Sequence, residues 1–310
     1  MSEFTLIEDI RTLFESLPHN HFEGIGDDCA VLPIGGDEAL LFTSDMLNEG
    51  VHFLPERVSA HDIGYKAVMV NLSDIAAMGA TPVATLLSIA LPKQYGESWA
   101  REFIEGYHEA SAEFGVALVG GDTTSSSSGI VVSVTAIGRA PMANIKRRKA
   151  AQVGDTILVG GELGGSAAGL RHILEGNTES AESAVHRLPR AQVREGEILG
   201  REAKVHAMMD ISDGLASDLR HILKASGVGA VVDLERVPTR TSIEDALCGG
   251  EDYKLLLTVA EGAEKEIIER CLSATGTRLY AIGTIVEGDT IEWRRNGEHV
   301  EVEYRGYEHF

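Results

Sequence analysis

The first 140 residues alternate segments of helical and of extended apolar spacing. Apolar residues recur at helical spacing from Phe4 to Leu17 and predict an amphipathic helix that stops near Pro18. Further helices are predicted over residues 60–79 and 97–114, and strands over 39–45, 82–91, 116–122 and 130–138. Segment 82–91, bounded by two prolines, is typical of a buried strand, and the TTSSSS run at 123–128 of a flexible loop. This order predicts one α/β unit.

Residues 140–154 interrupt the pattern. They contain Pro141, a basic KRRK run at 146–149 and Gly154, without apolar periodicity. Beyond them, strands are predicted over 155–161, 208–210, 253–259, 278–286, 289–293 and 299–304, with helices after the GGELGGSAAG turn and from Ser212 onward. We therefore predict an α/β (α+β) fold with an N-terminal domain over 1–140 and a C-terminal domain over 141–310.

Charge limits the partners that this chain can bind. Its 310 residues carry a formal net charge of -21 at pH 7, which argues against unaided binding to nucleic acid or to an anionic membrane. A phosphate ligand would therefore need metal ions. Cys29, Cys248 and Cys271 form no metal-binding spacing, and the N-terminus lacks the features of a signal peptide. We expect a cytoplasmic protein with no nucleic-acid or membrane partner.

Seven aspartates follow apolar runs and neighbour glycine, serine or threonine, where folding alone does not favour a carboxylate. They are Asp27, Asp28, Asp45, Asp74, Asp122, Asp210 and Asp213. Buried carboxylates are costly unless a counter-ion neutralises them. The strand segments LLFTSD, ALVGGD and MMD end in aspartate, and the carboxyl ends of strands are the usual ligand face of α/β sheets. A cap or turn role explains any single aspartate, but the whole set predicts a site for Mg²⁺, Mn²⁺ or Ca²⁺.

Two further segments each allow two interpretations. Ser212 and Asp213 precede a predicted helix, so Ser212 either caps that helix or faces a phosphate at its N-terminus, and the two roles are compatible. The glycines of residues 160–170 either contact a phosphate or allow tight packing of a strand on a helix. The sequence contains no G-x-G-x-x-G, P-loop, HRD, DFG, G-x-S-x-G or HExxH motif. A carboxylate-rich metal site without these motifs points to phosphoryl transfer.

Several segments, taken in order, resemble the thiamine-monophosphate kinase family of the aminoimidazole-ribonucleotide-synthetase-like superfamily. They are GIGDDCAVL (24–32), TSDMLNEGVHF (43–53), YKAVMVNLSDIAAMGATP (65–82), GGDTT (120–124), MDISDGLASDL (209–219), GGEDYKLLLTV (249–259) and GYEHF (306–310). The resemblance covers essentially the whole chain. It implies an N-terminal mixed-sheet domain that binds metal and ATP and forms a homodimer, a C-terminal α/β domain, and ligands in the cleft between them. It also implies transfer of a phosphoryl group from ATP to thiamine monophosphate.

The resemblance assigns site residues as well. Several Mg²⁺ ions would be bound by Asp28, Thr43, Ser44, Asp45, Asp74, Asp122, Asp210 and Asp213. ATP would contact Gly121, Asp122, Arg148 and Ser212, and the substrate would contact His52, Glu251 and Tyr307. Asp27 matches no metal position and is expected to support the turn. Lys254 stands where the family more usually has an acidic residue, which changes the charge expected beside the substrate.

No general base is expected for this reaction, because a phosphate monoester has a second pKa near 6 and is already an anion at neutral pH. Catalysis then rests on in-line positioning and on charge neutralisation by Mg²⁺. Two alternatives stay open. One is another ATP-using enzyme of the superfamily, such as selenophosphate synthetase or aminoimidazole-ribonucleotide synthetase, and the other is a non-catalytic Mg-nucleotide sensor.

Overall fold

The computed structural model describes residues 3–302 of the chain. The described helices are α1 (Glu3–Phe14), α2 (Ala60–Ala77), α3 (Gly96–Phe114), α4 (Gly165–Leu174), α5 (Ala181–Arg187), α6 (Val193–Gly200), α7 (Leu215–Ser226), α8 (Ile243–Cys248) and α9 (Glu264–Thr275). The described strands are β1 (Ala30–Gly35), β2 (Glu38–Asn48), β3 (Thr81–Pro92), β4 (Ala117–Ser126), β5 (Val131–Pro141), β6 (Thr156–Val159), β7 (Val205–Asp210), β8 (Gly229–Asp233), β9 (Leu255–Val259), β10 (Tyr280–Val286), β11 (Ile291–Arg295) and β12 (Glu298–Val300). Within this range, no helix combines the length and the apolar character that crossing a bilayer requires.

The first sheet has the strand order β1-β2-β5-β3-β4, in which the β3–β4 pair is parallel and the other pairs are antiparallel. α2 packs against one face of this sheet, and α3 packs against α2. The helices approach closely because glycines lie at their crossing. A Cβ atom on Gly64 would lie 2.0 Å from the carbonyl oxygen of Phe103, and one on Gly106 would lie 1.8 Å from that of His61. The predicted N-terminal α/β unit is thus confirmed.

None of the residues 3–302 of a single chain covers the opposite face of the first sheet. β3 largely alternates exposed and buried residues, and β4 is exposed along almost its whole length, with Leu118 47% and Val119 60% exposed. The prediction of a fully buried strand over 82–91 is therefore wrong for a single chain, because helices cover only one of its two faces. The loop predicted at 123–128 is wrong in part, because β4 continues to Ser126 by pairing with the backbone of β3.

The second sheet has the order β12-β11-β8-β10-β6-β9-β7, in which β8 and β11 are parallel and the other pairs are antiparallel. Its predicted strands are confirmed from β6 to β11. The segment predicted at 299–304 overlaps β12 and extends outside the described residues. The sequence patterns do not predict β1, β8, α5, α6, α8 or α9. Most of these elements are shorter than nine residues, too short for apolar periodicity to be decisive.

The two α/β units meet along α2. A Cβ atom on Gly196 of α6 would lie 2.3 Å from the Ala76 carbonyl oxygen, and one on Gly79 would lie 2.8 Å from Gly200 Cα, so α6 and the C-terminal end of α2 touch backbone to backbone. At the N-terminal end of α2, Asp62 forms an ion pair with Arg187 of α5. The remaining contact surface between these points carries the polar groups described next.

Candidate active site

Three carboxylates from distant parts of the chain meet between the two sheets. Asp28 precedes β1, Asp74 lies on α2, and Asp210 ends β7. One oxygen atom from each lies within 4.8 Å of the other two. The Asp28 side chain is 1% exposed and Asp210 is 2% exposed. The fold therefore brings together three of the aspartates that the sequence analysis assigns to metal.

Hydroxyl groups orient two of these carboxylates. Thr43 donates a hydrogen bond from β2 to Asp74 Oδ2, and Ser73 donates from α2 to Asp210 Oδ2 at 2.5 Å. The second bond joins the two units, because Ser73 belongs to the first and Asp210 to the second. Asp45 follows Thr43 by two residues on β2 and therefore lies on the same face of that strand.

Arg148 holds the third carboxylate. Its guanidinium donates to Asp28 Oδ1 at 2.5 Å, and its backbone amide donates to Asp27 Oδ1 at 2.7 Å. Asp27 thus contacts the backbone of Arg148, and its predicted support of the turn around residue 27 stays a prediction. Asp28 Oδ2 is buried without a hydrogen-bond partner among the residues that the structure describes. A bound cation is one way to satisfy such an oxygen atom.

The electrostatics of this cluster favour a positive ion. Burial, and next the carboxylate of Asp28, raise the pKa of Asp45 to about 6 and the pKa of Asp210 to about 7. Burial and then Asp45 raise the pKa of Asp74 well above its ordinary value. Crowded carboxylates of this kind resist ionisation until a cation joins them. Since the donors are all oxygen atoms, the site fits a hard divalent ion such as Mg²⁺ better than zinc.

Three predicted ligand-binding residues lie elsewhere in a single chain. The Ser44 side chain lies on the open face of the first sheet, where its Oγ accepts a hydrogen bond from Thr135 at 3.2 Å. Gly121 and Asp122 lie on the edge strand β4, which β3 and β5 separate from β2. Three strand spacings amount to about 14 Å. Within one chain, Gly121 and Asp122 therefore do not join the cluster.

Ser212 does not cap α7. The N-cap residue is Gly214, and the backbone amides of Asp213 and Gly214 donate to the Asp218 carboxylate at 3.1 Å each. The interpretation of Ser212 as an N-cap is therefore wrong, because the N-cap lies two residues later, at Gly214. Ser212 and Asp213 instead line the cleft between the two units.

An internal carboxylate also occupies the glycine-rich turn before α4. The amides of Gly164 and Ser166 donate to Asp252 at 2.6 Å and 3.2 Å. Burial raises the pKa of Asp252 to about 6. Gly169 allows close packing, since a Cβ atom there would lie 2.3 Å from the carbonyl oxygen of Glu182. The structure thus favours the packing interpretation of this segment over contact with a phosphate.

A cleft of about 1030 Å³ begins at Asp45 and runs between the two units. Ser212, Asp213 and Glu251 give it a polar part, and His52 lies in its wall with Nδ1 accepting a hydrogen bond from the amide of Asn48 at 3.0 Å. The apolar part is lined by Val51, Phe53, Leu54, Val58, Leu170, Ile173 and Leu174. Charged groups at one end and an apolar lining at the other suit an organic phosphate.

Two features predicted for the substrate site fall outside this lining. Tyr307 lies outside the described residues. Lys254 directly follows Tyr253, which lines the cleft, but Lys254 itself does not, and its aliphatic chain lies beside Gly161. The departure of Lys254 from the family pattern therefore leaves the charge of the cleft wall unchanged.

The sequence analysis misses two residues that contact Glu251. Lys66 on α2 is 3% exposed, and its Nζ lies 2.9 Å from Glu251 Oε1. His186 on α5 has its Nδ1 3.3 Å from Glu251 Oε2 and 2.9 Å from Ser166 Oγ. A lysine within an apolar helix is a sequence signal for the first of these contacts. The sequence around His186 contains no comparable signal.

Two protein-family models match this chain. The model for the AIR synthase related protein N-terminal domain matches residues 26–140, and the model for the C-terminal domain matches residues 152–294. Together they include the three clustered carboxylates and nearly all of both sheets, apart from β12. The fold is that of the AIR synthase related proteins.

Full-length relatives define the family more narrowly. A thiamine-monophosphate kinase of Salmonella typhimurium (strain LT2) is 36% identical over 327 aligned positions, covering 99% of this chain and 98% of that protein. The thiamine-monophosphate kinase of Bacillus subtilis (strain 168) is 34% identical, and the alignment covers 100% of this chain and 100% of that protein. A solved structure described as AaThiL complexed with AMPPCP and TMP has a TM-score of 0.86 and 33% identity, covering 100% of this chain and 97% of that one. This chain belongs to the thiamine-monophosphate kinase family.

Proposed function

We propose that this chain transfers the γ-phosphoryl group of ATP to thiamine monophosphate, forming ADP and thiamine diphosphate. Its relatives carry the name of that activity, and a solved relative is described as a complex with TMP and AMPPCP, an analogue of ATP. The observation that carries the proposal is the buried cluster of Asp28, Asp74 and Asp210 beside Asp45, which lines the cleft. Divalent cations held by a cluster of this kind would neutralise two phosphate-bearing ligands that must approach each other.

The acceptor needs no general base. A phosphate monoester is mainly a dianion above its second pKa of about 6, so its oxygen is already a nucleophile at neutral pH. That oxygen attacks the γ-phosphorus, a new P–O bond forms, and the bond from the γ-phosphorus to the bridging oxygen of ADP breaks. No proton has to move. The main obstacle is the repulsion between two anions, which positive charge and in-line positioning overcome.

The carboxylates supply the means of holding that positive charge. The residues proposed to bind Mg²⁺ are Asp28, Asp45, Asp74, Asp210 and, from the cleft side, Asp213. When bound, Mg²⁺ neutralises charge on the phosphates. Thr43 contributes by orienting Asp74 through its hydrogen bond, and Arg148, which forms an ion pair with Asp28, is proposed to contact a phosphate of ATP. Ser212 is proposed as a further contact to ATP.

The opposite part of the cleft is proposed to bind the thiamine portion through His52, Glu251 and Tyr307. The thiazolium ring is cationic, so a carboxylate is a suitable partner. Burial opposes ionisation of Glu251, but the surrounding basic side chains, with Lys66 foremost, together keep the pKa of Glu251 below its ordinary value. A tyrosine ring stacked on the thiazolium would add about 0.5–2 kcal/mol through its π-face.

We also propose a homodimer in which a second copy covers the open face of the first sheet. Exposed edge strands and apolar sheet faces promote association, and β4 offers both. A second copy would also give a role to Gly121, Asp122 and Ser44, which lie on or near this open face. We infer that the β4 residues of one copy complete the site of the other copy. The cytoplasmic location stays a prediction.

Measuring ADP release with and without thiamine monophosphate tests the activity. The kinase proposal expects strong stimulation by thiamine monophosphate, none by thiamine, and loss of turnover in Asp74→Asn. A Mg-nucleotide sensor would release no additional ADP. A related synthetase would ignore thiamine monophosphate while using a different acceptor, and either result would overturn the proposal.

A further inference from the structure

Glu251 is paired with a lysine that does not itself line the cleft. Lys66 approaches from α2, is 3% exposed, and makes no hydrogen bond of good geometry through Nζ within residues 3–302, although Nζ lies 2.9 Å from Glu251 Oε1. Replacing buried ion pairs by apolar groups is often neutral or stabilising, because removing both charges from water costs several kcal/mol per ion. Stability alone therefore does not account for this lysine.

The backbone at Glu251 is strained. Glu251 has φ +64° and Tyr253 has φ +49°, a region that residues other than glycine seldom adopt. The amide of Glu251 donates to the Ser212 carbonyl at 2.7 Å, and that of Tyr253 donates to the Ile211 carbonyl at 2.8 Å. Strained residues of this kind persist where surrounding contacts hold them, and they occur often at ligand sites. The backbone of Glu251 is thus fixed to the loop that carries Ser212, while Lys66 fixes its side chain.

The second neighbour of the carboxylate is an uncharged histidine at neutral pH. Burial, and next the charge of Lys66, lower the pKa of His186 to about 4. His186 therefore contacts Glu251 Oε2 as a neutral ring, while Ser166 Oγ lies 2.9 Å from the same Nδ1 atom. The buried positive charge that balances Glu251 is provided by Lys66.

We propose that Lys66 is a positioning residue for substrate recognition: its ammonium group holds the Glu251 carboxylate in one orientation, facing the cationic part of thiamine monophosphate. Lys66 acts through Glu251 and across the boundary between the two α/β units. The proposal rests on the proposed function, because it assumes that Glu251 meets the thiamine portion. It predicts that removing Lys66 weakens recognition of thiamine monophosphate and leaves recognition of ATP unchanged.

Steady-state kinetics of wild type, Lys66→Met, Lys66→Arg, Glu251→Gln and the Lys66→Met/Glu251→Gln double variant test this inference. In Lys66→Met, KM for thiamine monophosphate should rise about 10- to 100-fold, while KM for ATP stays within about twofold of wild type. Lys66→Arg, which keeps the charge, should recover part of the loss. The double variant should be no worse than Glu251→Gln, because both changes remove one interaction.

A matched control is Lys146→Met, which removes another buried lysine. Lys146 is 6% exposed and donates to the backbone carbonyls of Glu202 and Val205 at 2.8 Å and 3.0 Å. The KM of Lys146→Met for thiamine monophosphate should stay at the wild-type value. If Lys66→Met fails to fold, Lys66→Arg and the double variant, which removes both charges, still provide the comparison.

The outcomes separate the two proposals. Wild-type KM values for thiamine monophosphate in Lys66→Met, together with an impaired Glu251→Gln, would overturn the positioning role alone. A wild-type KM in Glu251→Gln would overturn the role proposed for Glu251 itself. Equal increases of KM for thiamine monophosphate and for ATP would show general damage to the protein, which also contradicts the inference.

Discussion

Replacing Asp210 by asparagine should stabilise the metal-free protein. Asp210 is 2% exposed, and burial, followed by the charge of Asp28, raises its pKa from 3.8 to about 7. A carboxyl group whose pKa is higher in the folded than in the unfolded chain destabilises the fold progressively as the pH rises through that interval. At about 1.4 kcal/mol per pH unit, this destabilisation is about 4 kcal/mol at pH 8 and below about 2 kcal/mol at pH 5.

Asparagine removes the charge and can still accept the hydrogen bond that Ser73 donates. In EDTA at pH 8, the unfolding temperature of Asp210→Asn should therefore lie about 5–8 °C above that of wild type. At pH 5 the difference between the two unfolding temperatures should be less than half as large. Mg²⁺ should raise the unfolding temperature of wild type, because it binds only the folded state. It should raise that of the variant much less, because one ligand is missing. Differential scanning calorimetry of both proteins, with EDTA or with Mg²⁺ at each pH, measures these unfolding temperatures.

The control variant is Asp252→Asn. The pKa of Asp252 is also raised by burial, to about 6, but its carboxylate accepts hydrogen bonds from Gly164 and Ser166 and lies outside the acidic cluster. Its response to Mg²⁺ should match that of wild type. A lower unfolding temperature of Asp210→Asn in EDTA at pH 8 would refute the electrostatic reasoning. A wild-type response of Asp210→Asn to Mg²⁺ would refute its assignment as a ligand.

Three further predictions concern other parts of the fold. Leu118→Arg on the exposed strand β4 should give a monomer with little activity, and sedimentation at the wild-type mass would contradict the dimer proposal. Gly121→Ala should destabilise the protein by about 3 kcal/mol or more in urea unfolding, because its Cβ atom would lie 1.7 Å from the Leu87 carbonyl oxygen, whereas Gly120→Ala, whose nearest contact is 3.6 Å, should be tolerated. The pKa of His186, lowered from 6.5 to about 4 by burial, means that the unfolded chain gains a proton first as the pH falls through this interval. This histidine should therefore cost wild type about 2 kcal/mol of stability between pH 7 and pH 4.5, so the stability of His186→Gln relative to wild type should rise by about that amount over the same interval in urea titrations.

Local sequence patterns were sufficient for elements that bury a regular apolar face. α2, α3, β2 and β5 match their predicted ranges to within a few residues. Patterns failed where distant partners decide the structure. β4 includes Thr123 and Ser126 because β3 offers a backbone to pair with. The N-cap of α7 is Gly214 rather than Ser212, and the Asp218 carboxylate, within the helix, fixes the start of α7 by accepting from the amides of Asp213 and Gly214.

The same distinction applies to the candidate site. Asp28, Asp74 and Asp210 could be selected from the sequence, because each belongs to the set of aspartates that follow apolar runs beside small residues, where folding alone does not favour a carboxylate. Lys66 stands out as a lysine within an apolar helix, but its partner Glu251 lies 185 positions away in the chain, and neither segment identifies the other. Asp252 follows Glu251 directly, yet its carboxylate bonds to the backbone of the turn before α4. Such contacts depend on tertiary structure and not on spacing.

α2 explains how the two ends of the cleft keep a fixed separation. Asp62, Lys66 and Ser73 lie at intervals of four and seven residues, which places them on one stripe of the helix. They contact, in order, α5 through Arg187, the Glu251 turn, and Asp210 of the acidic cluster. From Lys66 to Ser73 the helix rises about 10 Å, and close glycine contacts with α6 prevent it from sliding. A single helix therefore sets the distance between the proposed thiamine end and the proposed phosphate end, and a substrate must match that distance for its phosphate to reach the carboxylates proposed to bind Mg²⁺.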